Sequence, residues 1–465
     1  MTSAVVVGSG PNGLAAAIVL ARAGLDVTVL EQADTIGGGT RSAELTVPGL
    51  LHDVCSAIHP MGVASPFLRS LDLERHGLEW LYPEIDAAHP IDGGTAGALF
   101  PDLDRTVEHL GPDGAAWRRL FEPLVQHADQ LVAELLGPIL HVPRHPIRLA
   151  GFGARALLPA TTLARRWTTD EARGLFAGMA AHAMQPLTSP TTAGLGLMFG
   201  ITSHAYGWPA ARGGSQAIAA ALAAELAEHG GRIETGHRVE TLPDAEVVVL
   251  DTSAPAAADI GGARVRPRVA RSLRRFRSGP GAFKLDLAIE GPVPWADPWS
   301  GRAGTVHLGG TMEQVASAEA DVARGRMPER PFVLVAQQHL VDPCRSDGDV
   351  HPLWAYAHVP AGYDGDASAA ILGQLERFAP GVRDQVVAQH ATGPAAWEAY
   401  NPNYLGGDIG AGANTPWQLL MRPRASVHPY RLGPGLYLCS AATPPGGGVH
   451  GMGGFHAATD AVSRL

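Results

Sequence analysis

Apolar residues open the chain as a short unbroken run at 4–8. A glycine turn follows, then a helical pattern over 11–23 that Gly24 closes, then a second apolar run at 26–30. Runs this short, bounded by glycine, predict buried strands, and the order strand, helix, strand is the first half of a parallel βαβ unit. Further along, 213–230 predicts a helix behind a glycine pair, and 232–234, 238–242 and 246–250 predict strands. Residues 283–289 and 353–359 alternate or run apolar as strands do, 367–378 predicts a helix, and 435–440 a strand leading to a C-terminal helix near Phe455. The span 66–204 reads as largely helical. Within it, 174–211 holds no Asp, Glu, Lys or Arg, but Gln185, Pro186 and Pro190 interrupt it, so it lacks the continuous apolar length that crosses a bilayer. It predicts helices that line an apolar cavity or an interdomain core, with a shallow peripheral membrane contact as the alternative use.

The first turn carries chemistry. Gly8, Gly10 and Gly13 stand between strand and helix, and Glu31 ends the second strand. In that context the glycines permit a tight turn, a close backbone approach to a pyrophosphate and close helix packing, while the helix N-terminus with Pro11 and Asn12 faces the phosphates. Glu31, with Gln32 beside it, would accept hydrogen bonds from a ribose diol. The fingerprint alone does not choose between NAD and FAD. A second cluster, Gly37-Gly38-Gly39-Thr40-Arg41, suits the diphosphate and ribityl chain of a flavin. The glycine-dense run 444–454, with Gly448, Gly451 and Met452, would bring helix N-terminal amides to a flavin's pyrimidine edge.

Composition narrows the field. A chain of 465 residues predicts two domains sharing a large buried surface. A net charge of -10 with no Lys/Arg stripe argues against nucleic acid. Cys55, Cys344 and Cys439 form no metal-spaced cluster, which fits a reducing, cytoplasmic setting without a structural disulfide. No metal spacing, paired-carboxylate arrangement or Ser/His/Asp order stands out. Of the 35 basic residues only Lys284 is lysine, which is either coding bias or a place where an ammonium that can shed its proton is needed.

Taken together, these motifs resemble the phytoene-desaturase-like flavoproteins, grouped with amine oxidases in one FAD superfamily. The likeness rests on 5–13 with Glu31, Gly37-Gly38, Val47-Pro48-Gly49 leading to His52-Asp53, Gly207-Trp208-Pro209 with Gly213-Gly214, Gly279-Pro280-Gly281 through Lys284 to Trp295, Asn401-Pro402-Asn403 with Gly406-Gly407-Asp408, and 446–454. The resemblance implies an α/β fold of the two-dinucleotide-binding-domain type. Its Rossmann-type FAD-binding domain would be discontinuous, from 1–65, 205–255 and 430–465. A mixed helix and sheet substrate domain would come from 66–204 and 256–429. It also implies non-covalent FAD, an adenine contact from Val239, passage of 55–59 near the isoalloxazine, and a water held against flavin N5 by Lys284. Two departures are Gly39 where many relatives keep arginine, and Ser440-Ala441-Ala442 where many keep Gly-Asp.

His59, Lys284, Asp408 and His450 are the candidate catalytic groups. His59 before Pro60 and Asp408 after two glycines have a plainer use as turn residues, while His450, among glycines where little else can supply a side-chain contact, points to a flavin or substrate role. The expected activity is a desaturase or dehydrogenase that moves hydride from a largely apolar molecule to flavin N5. The alternatives are an amine or amino-acid oxidase, a flavin-dependent isomerase, and a non-catalytic binder like the GDP-dissociation inhibitors. Oligomeric state is left open.

Overall fold

The computed structural model describes residues 2–465. Two sheets organise it. The first has six strands, in the order Arg431–Gly433, Leu436–Leu438, Val247–Leu250, Ser3–Val7, Asp26–Leu30 and Arg232–Glu234. All neighbours run parallel except the first pair. Its inner strands Val247–Leu250, Ser3–Val7 and Asp26–Leu30 are largely apolar on both sides because both faces are covered. Val6, Val27, Val29, Val247 and Val249 pack under the helices Pro11–Arg22, Gln216–Glu228 and Met452–Val462. Val7, Val248 and Leu250 pack against Ala254–Gly261 and Pro267–Arg274.

The second sheet has seven strands, in the order Val386–Thr392, Gly281–Glu290, Val350–Val359, Val333–Ala336, Ala303–Leu308, Ile85–Ile91 and Thr95–Leu99. Only the pair Ala303–Leu308 and Ile85–Ile91 is parallel. Side chains alternate strictly across it. Phe283, Leu285, Leu287, Leu353, Ala355 and Ala357 face the helix Ser368–Phe378. Ala282, Trp354 and Tyr356 face the opposite way, toward the helices Asp170–Ala181 and Thr192–Tyr206.

The α/β class and the Rossmann unit agree with expectation. Several details do not. The span 66–204 is not helical throughout: the hairpin Ile85–Ile91 and Thr95–Leu99 belongs to the second sheet, and burial on both faces deprives it of the alternation that would have marked it. Residues 238–242 form no strand, and the last helix begins at Met452 rather than near Phe455. The uncharged stretch is mostly buried within the helical layer, and among the described residues no helix is long and apolar enough to cross a membrane.

The first turn is locked by close approach. A Cβ on Gly13 would sit 2.1 Å from the Gly8 carbonyl oxygen, and one on Gly454 would sit 1.8 Å from that of Asn12, where the last helix crosses the first. Backbone cannot yield as a side chain does, so Gly454→Ala is expected to destabilise the protein by about 3 kcal/mol or more. A thermal melt indistinguishable from that of the parent would refute this contact.

Candidate active site

A cavity of about 430 Å³ runs from the first turn to the helical layer between the two sheets. At one end lie Gly8, Gly10, Pro11, Asn12, Glu31, Gln32 and Val239. Gly38, Gly39, Thr40 and Arg41 line it further along, and Gly448 lies on the C-terminal side. Gly10 and Gly38 oppose one another so closely that a Cβ on Gly38 would be 3.1 Å from the Gly10 Cα, which leaves a cradle walled by backbone. The helix Pro11–Arg22 has no acid in its first turn and no side-chain cap from Gly10; with no N–H on Pro11 and that of Gly13 taken by Asp251, the Asn12 N–H is the first-turn amide left for an anion. Such a cradle fits a diphosphate.

Glu31 is fixed in advance. Its Oε2 accepts from the Ser9 N–H at 2.9 Å and the Ser9 hydroxyl at 2.6 Å, and its Oε1 from the Ala33 N–H at 2.9 Å. Arg41 donates to the Thr35 carbonyl at 2.7 Å and lies 5.3 Å from the Tyr400 ring centroid, so its guanidinium is held in the wall. The glycine at 39 has a steric reason: a Cβ there would be 2.5 Å from the Tyr404 hydroxyl. Gly13, Gly451 and Met452 were expected to contact cofactor but do not line the cavity. The Gly13 N–H is taken by Asp251 Oδ2 at 2.9 Å. Gly451 turns the chain into the last helix with φ +67°, and Met452 is buried in the core.

None of the four catalytic candidates lines the cavity. His59 Nε2 pairs with the Ser215 hydroxyl at 2.9 Å, and burial pushes the imidazole down to about 4. His450 Nδ1 accepts from the Met452 N–H at 3.0 Å, so the ring braces the helix entrance. Asp408 accepts from the amides of Gly279 at 2.5 Å, Gly412 at 2.7 Å and Gly410 at 2.9 Å, and is a loop organiser. Lys284 is on the cavity-side face of its strand, but its ammonium is bound by Asp286 and lies 5.7 Å from the Trp354 ring centroid. Asp286 in turn approaches His52 Nδ1 at 3.3 Å. The reason is strand geometry: residues two apart share a face, so Lys284 meets Asp286 before it can meet anything in the cavity.

Sequence reasoning missed Asp251. It ends the strand Val247–Leu250, lines the cavity, and sits between Gly10 and Gly13. Burial pushes its carboxyl up to about 7, and the neighbouring Glu31 adds to the rise. An acid directly after an apolar parallel strand was the available signal. The far end was also missed as a set: His182, Phe199, Trp208, Thr305, Leu334, Trp354 and Tyr356 line it, and no Asp, Glu, Lys or Arg does. Away from the cavity, His76, Glu225 and Glu228 have a spacing that could hold a metal, but Arg22 and Arg75 already pair with Glu225.

Comparison with known proteins agrees with this geometry. Residues 6–71 match the family model of the NAD(P)-binding Rossmann-like domain. The chain is 25% identical to rat pyridine nucleotide-disulfide oxidoreductase domain-containing protein 2, over 98% of this chain and 92% of that protein. It is 31% identical to hydroxyneurosporene desaturase of Cereibacter sphaeroides over 50% of this chain and 49% of the relative. In fold it matches an oxidoreductase from Methanosarcina mazei with a TM-score of 0.65 at 16% identity, covering 99% of this chain and 100% of that one. It also matches a putrescine oxidase with a TM-score of 0.61 at 18% identity, covering 100% and 98%. The dinucleotide-type cradle and the two-sheet architecture thus go together with a Rossmann-like match over residues 6–71 and with similarity, along nearly the whole chain, to pyridine nucleotide-disulfide oxidoreductase domain-containing protein 2.

Proposed function

We propose that the protein binds FAD without a covalent link and oxidises a largely apolar organic molecule, as a desaturase or dehydrogenase. One observation carries the reading: a single cavity has a charged, glycine-walled end at Glu31 and Arg41 and an uncharged aromatic end at Phe199, Trp208 and Trp354. A dinucleotide whose redox ring points away from its adenosine suits that polarity. FAD, when bound, supplies the acceptor for a substrate hydride. The chain's own residues bind, orient and exclude water. Glu31 is placed for the ribose hydroxyls, the paired glycines admit the diphosphate, and the aromatic wall keeps the substrate end dry. Purified protein is expected to absorb in the visible as a flavoprotein and to bleach anaerobically with an apolar substrate. Colourless protein, or a flavin that no such substrate reduces, would overturn the proposal.

An amine oxidase is the second reading, supported by the likeness in fold to putrescine oxidase. The uncharged end disfavours it, since no acid lines that wall to meet an ammonium group.

Two residues give further tests. Asp251 keeps its proton in the fold up to about 7, whereas an unfolded aspartate releases it near 3.8. Between those values the folded state holds more protons than the unfolded one. Its contribution to stability therefore falls as pH rises through that window and levels off above it. Asp251→Asn keeps an oxygen for the Gly13 N–H and is expected to flatten that slope in melts of the cofactor-free protein. Relative to wild type it gains at most about 1.4 kcal/mol per pH unit. Parallel pH profiles would count against a protonated Asp251. Lys284→Met strips Asp286 of its buried cation, and a stability loss of about 3–5 kcal/mol is expected. An unchanged melt with altered reoxidation by oxygen would instead restore Lys284 to the chemistry.

A further inference from the structure

The substrate end of the cavity contains polar groups that the dinucleotide leaves unused. Register sets them in two rows on the cavity face of the second sheet. Thr305, Ala336 and Trp354 lie side by side in one row, and His307, Leu334 and Tyr356 in the next. The Thr305 hydroxyl and the Trp354 indole N–H are buried without a partner. Tyr356 is 8% exposed, and its phenol makes no hydrogen bond within the protein. Facing this wall from the end of the helix Asp170–Ala181, His182 pairs through Nε2 with His307 Nε2 at 3.1 Å, which leaves its Nδ1 for the cavity it lines. Buried hydrogen-bonding groups are rarely left unpaired, and two of them beside the free Tyr356 hydroxyl and His182 Nδ1, around one apolar hollow, call for a polar atom delivered by a ligand.

We propose that this wall is a subsite for an uncharged oxygen function, a carbonyl or a hydroxyl, carried by an otherwise apolar substrate, with the Tyr356 hydroxyl and the His182 imidazole as its hydrogen-bonding contacts. The inference rests on the reading of this end as the substrate's.

Charge decides the class of ligand. Burial, reinforced by His358, pushes His182 down to about 3, and burial pushes the Tyr356 phenol up, so both groups are neutral near pH 7. Burial and the neighbouring His182 and His89 hold His307 well below its usual value too, so the histidine pair exchanges one hydrogen bond and carries no charge. An ammonium or carboxylate brought here would lose its hydration and meet no counter-charge, which is costly. A hydrocarbon would leave the donors unpaired. A ketone or alcohol satisfies them. Leu334 sits between His307 and Tyr356, so the oxygen lies against an apolar floor with a polar contact on each side.

The test compares four ligands of one shape: cyclodecanone, cyclodecanol, cyclodecane and cyclodecylamine. Their binding to the protein purified with its cofactor is measured by equilibrium dialysis, without turnover. The ketone and the alcohol are expected to bind roughly tenfold tighter than the hydrocarbon, and the amine no tighter than the hydrocarbon. Tyr356→Phe, which deletes a single oxygen, and His182→Leu are each expected to cut the ketone's advantage roughly fivefold while cyclodecane binds as before. Unchanged cyclodecane binding also reports that the cavity has kept its shape. Cyclodecane binding as tightly as cyclodecanone would overturn the inference. So would tightest binding by the amine, or a ketone advantage that survives in the double variant. Because dialysis reads no flavin reduction, protein that prefers the ketone yet is bleached by no apolar substrate would fail as a dehydrogenase and keep the subsite.

Discussion

A buried ion pair between Asp53 and Arg345 holds the two sheets in one relation, and the cavity's shape follows from it. Arg345 donates to Asp53 Oδ2 at 2.6 Å, to Asp342 at 3.0 Å and to the Ala211 carbonyl at 2.7 Å. Asp53 also accepts from the Ser215 N–H at 2.6 Å, the Ser42 hydroxyl at 2.9 Å and Gln338 at 3.1 Å. Arg345 holds the Asp53 carboxyl below the usual range despite complete burial. A pair so deep adds little net stability by itself, because desolvation offsets attraction, but its many directed hydrogen bonds fix geometry. Here it clamps the segment before Cys55, the turn at Gly213-Gly214 and the loop after Gln338 into one knot. Cys55 to Ile58, the middle of the cavity wall, hangs from that knot.

The two ends of the cavity come from different parts of the chain and differ in chemistry for that reason. The charged end is built from strand termini of a parallel sheet, where helix amides and the acids Glu31 and Asp251 converge. The aromatic end is built where one face of a mostly antiparallel sheet meets the helix Thr192–Tyr206, which has no Asp, Glu, Lys or Arg, and the uncharged later part of Asp170–Ala181. The uncharged stretch at 174–211 therefore finds its use indoors: His182, Phe199 and Trp208 from it line the cavity. Its hydropathy is that of an inner wall.

What could be read from sequence was what lies close along the chain. The first turn declared itself because strand, glycines, helix and Glu31 fall within a few dozen residues and obey local spacing. Contacts between distant residues stayed hidden. Asp251 meets Gly13 across 238 positions, and His182 meets His307 across 125. No single-sequence pattern marks such a meeting. The strands Ala303–Leu308 and Val333–Ala336 were not distinguished, because strands buried on both faces lose their period of two. Lys284 shows what the local sequence could have added. Its rarity drew attention, but Asp286, two residues away on the same strand face, was legible from the start and gave it a partner.

The first sheet is assembled from widely separated stretches, and that ordering constrains biosynthesis. Its outer strands, Arg431–Gly433 and Leu436–Leu438, and the helix crossing its first helix at Gly454 leave the ribosome long after the glycine turn does. Until they arrive, Leu14, Ile18 and the neighbouring alanines have no cover on that side. The nascent chain must carry this greasy, half-built platform until residues 431–462 have been made.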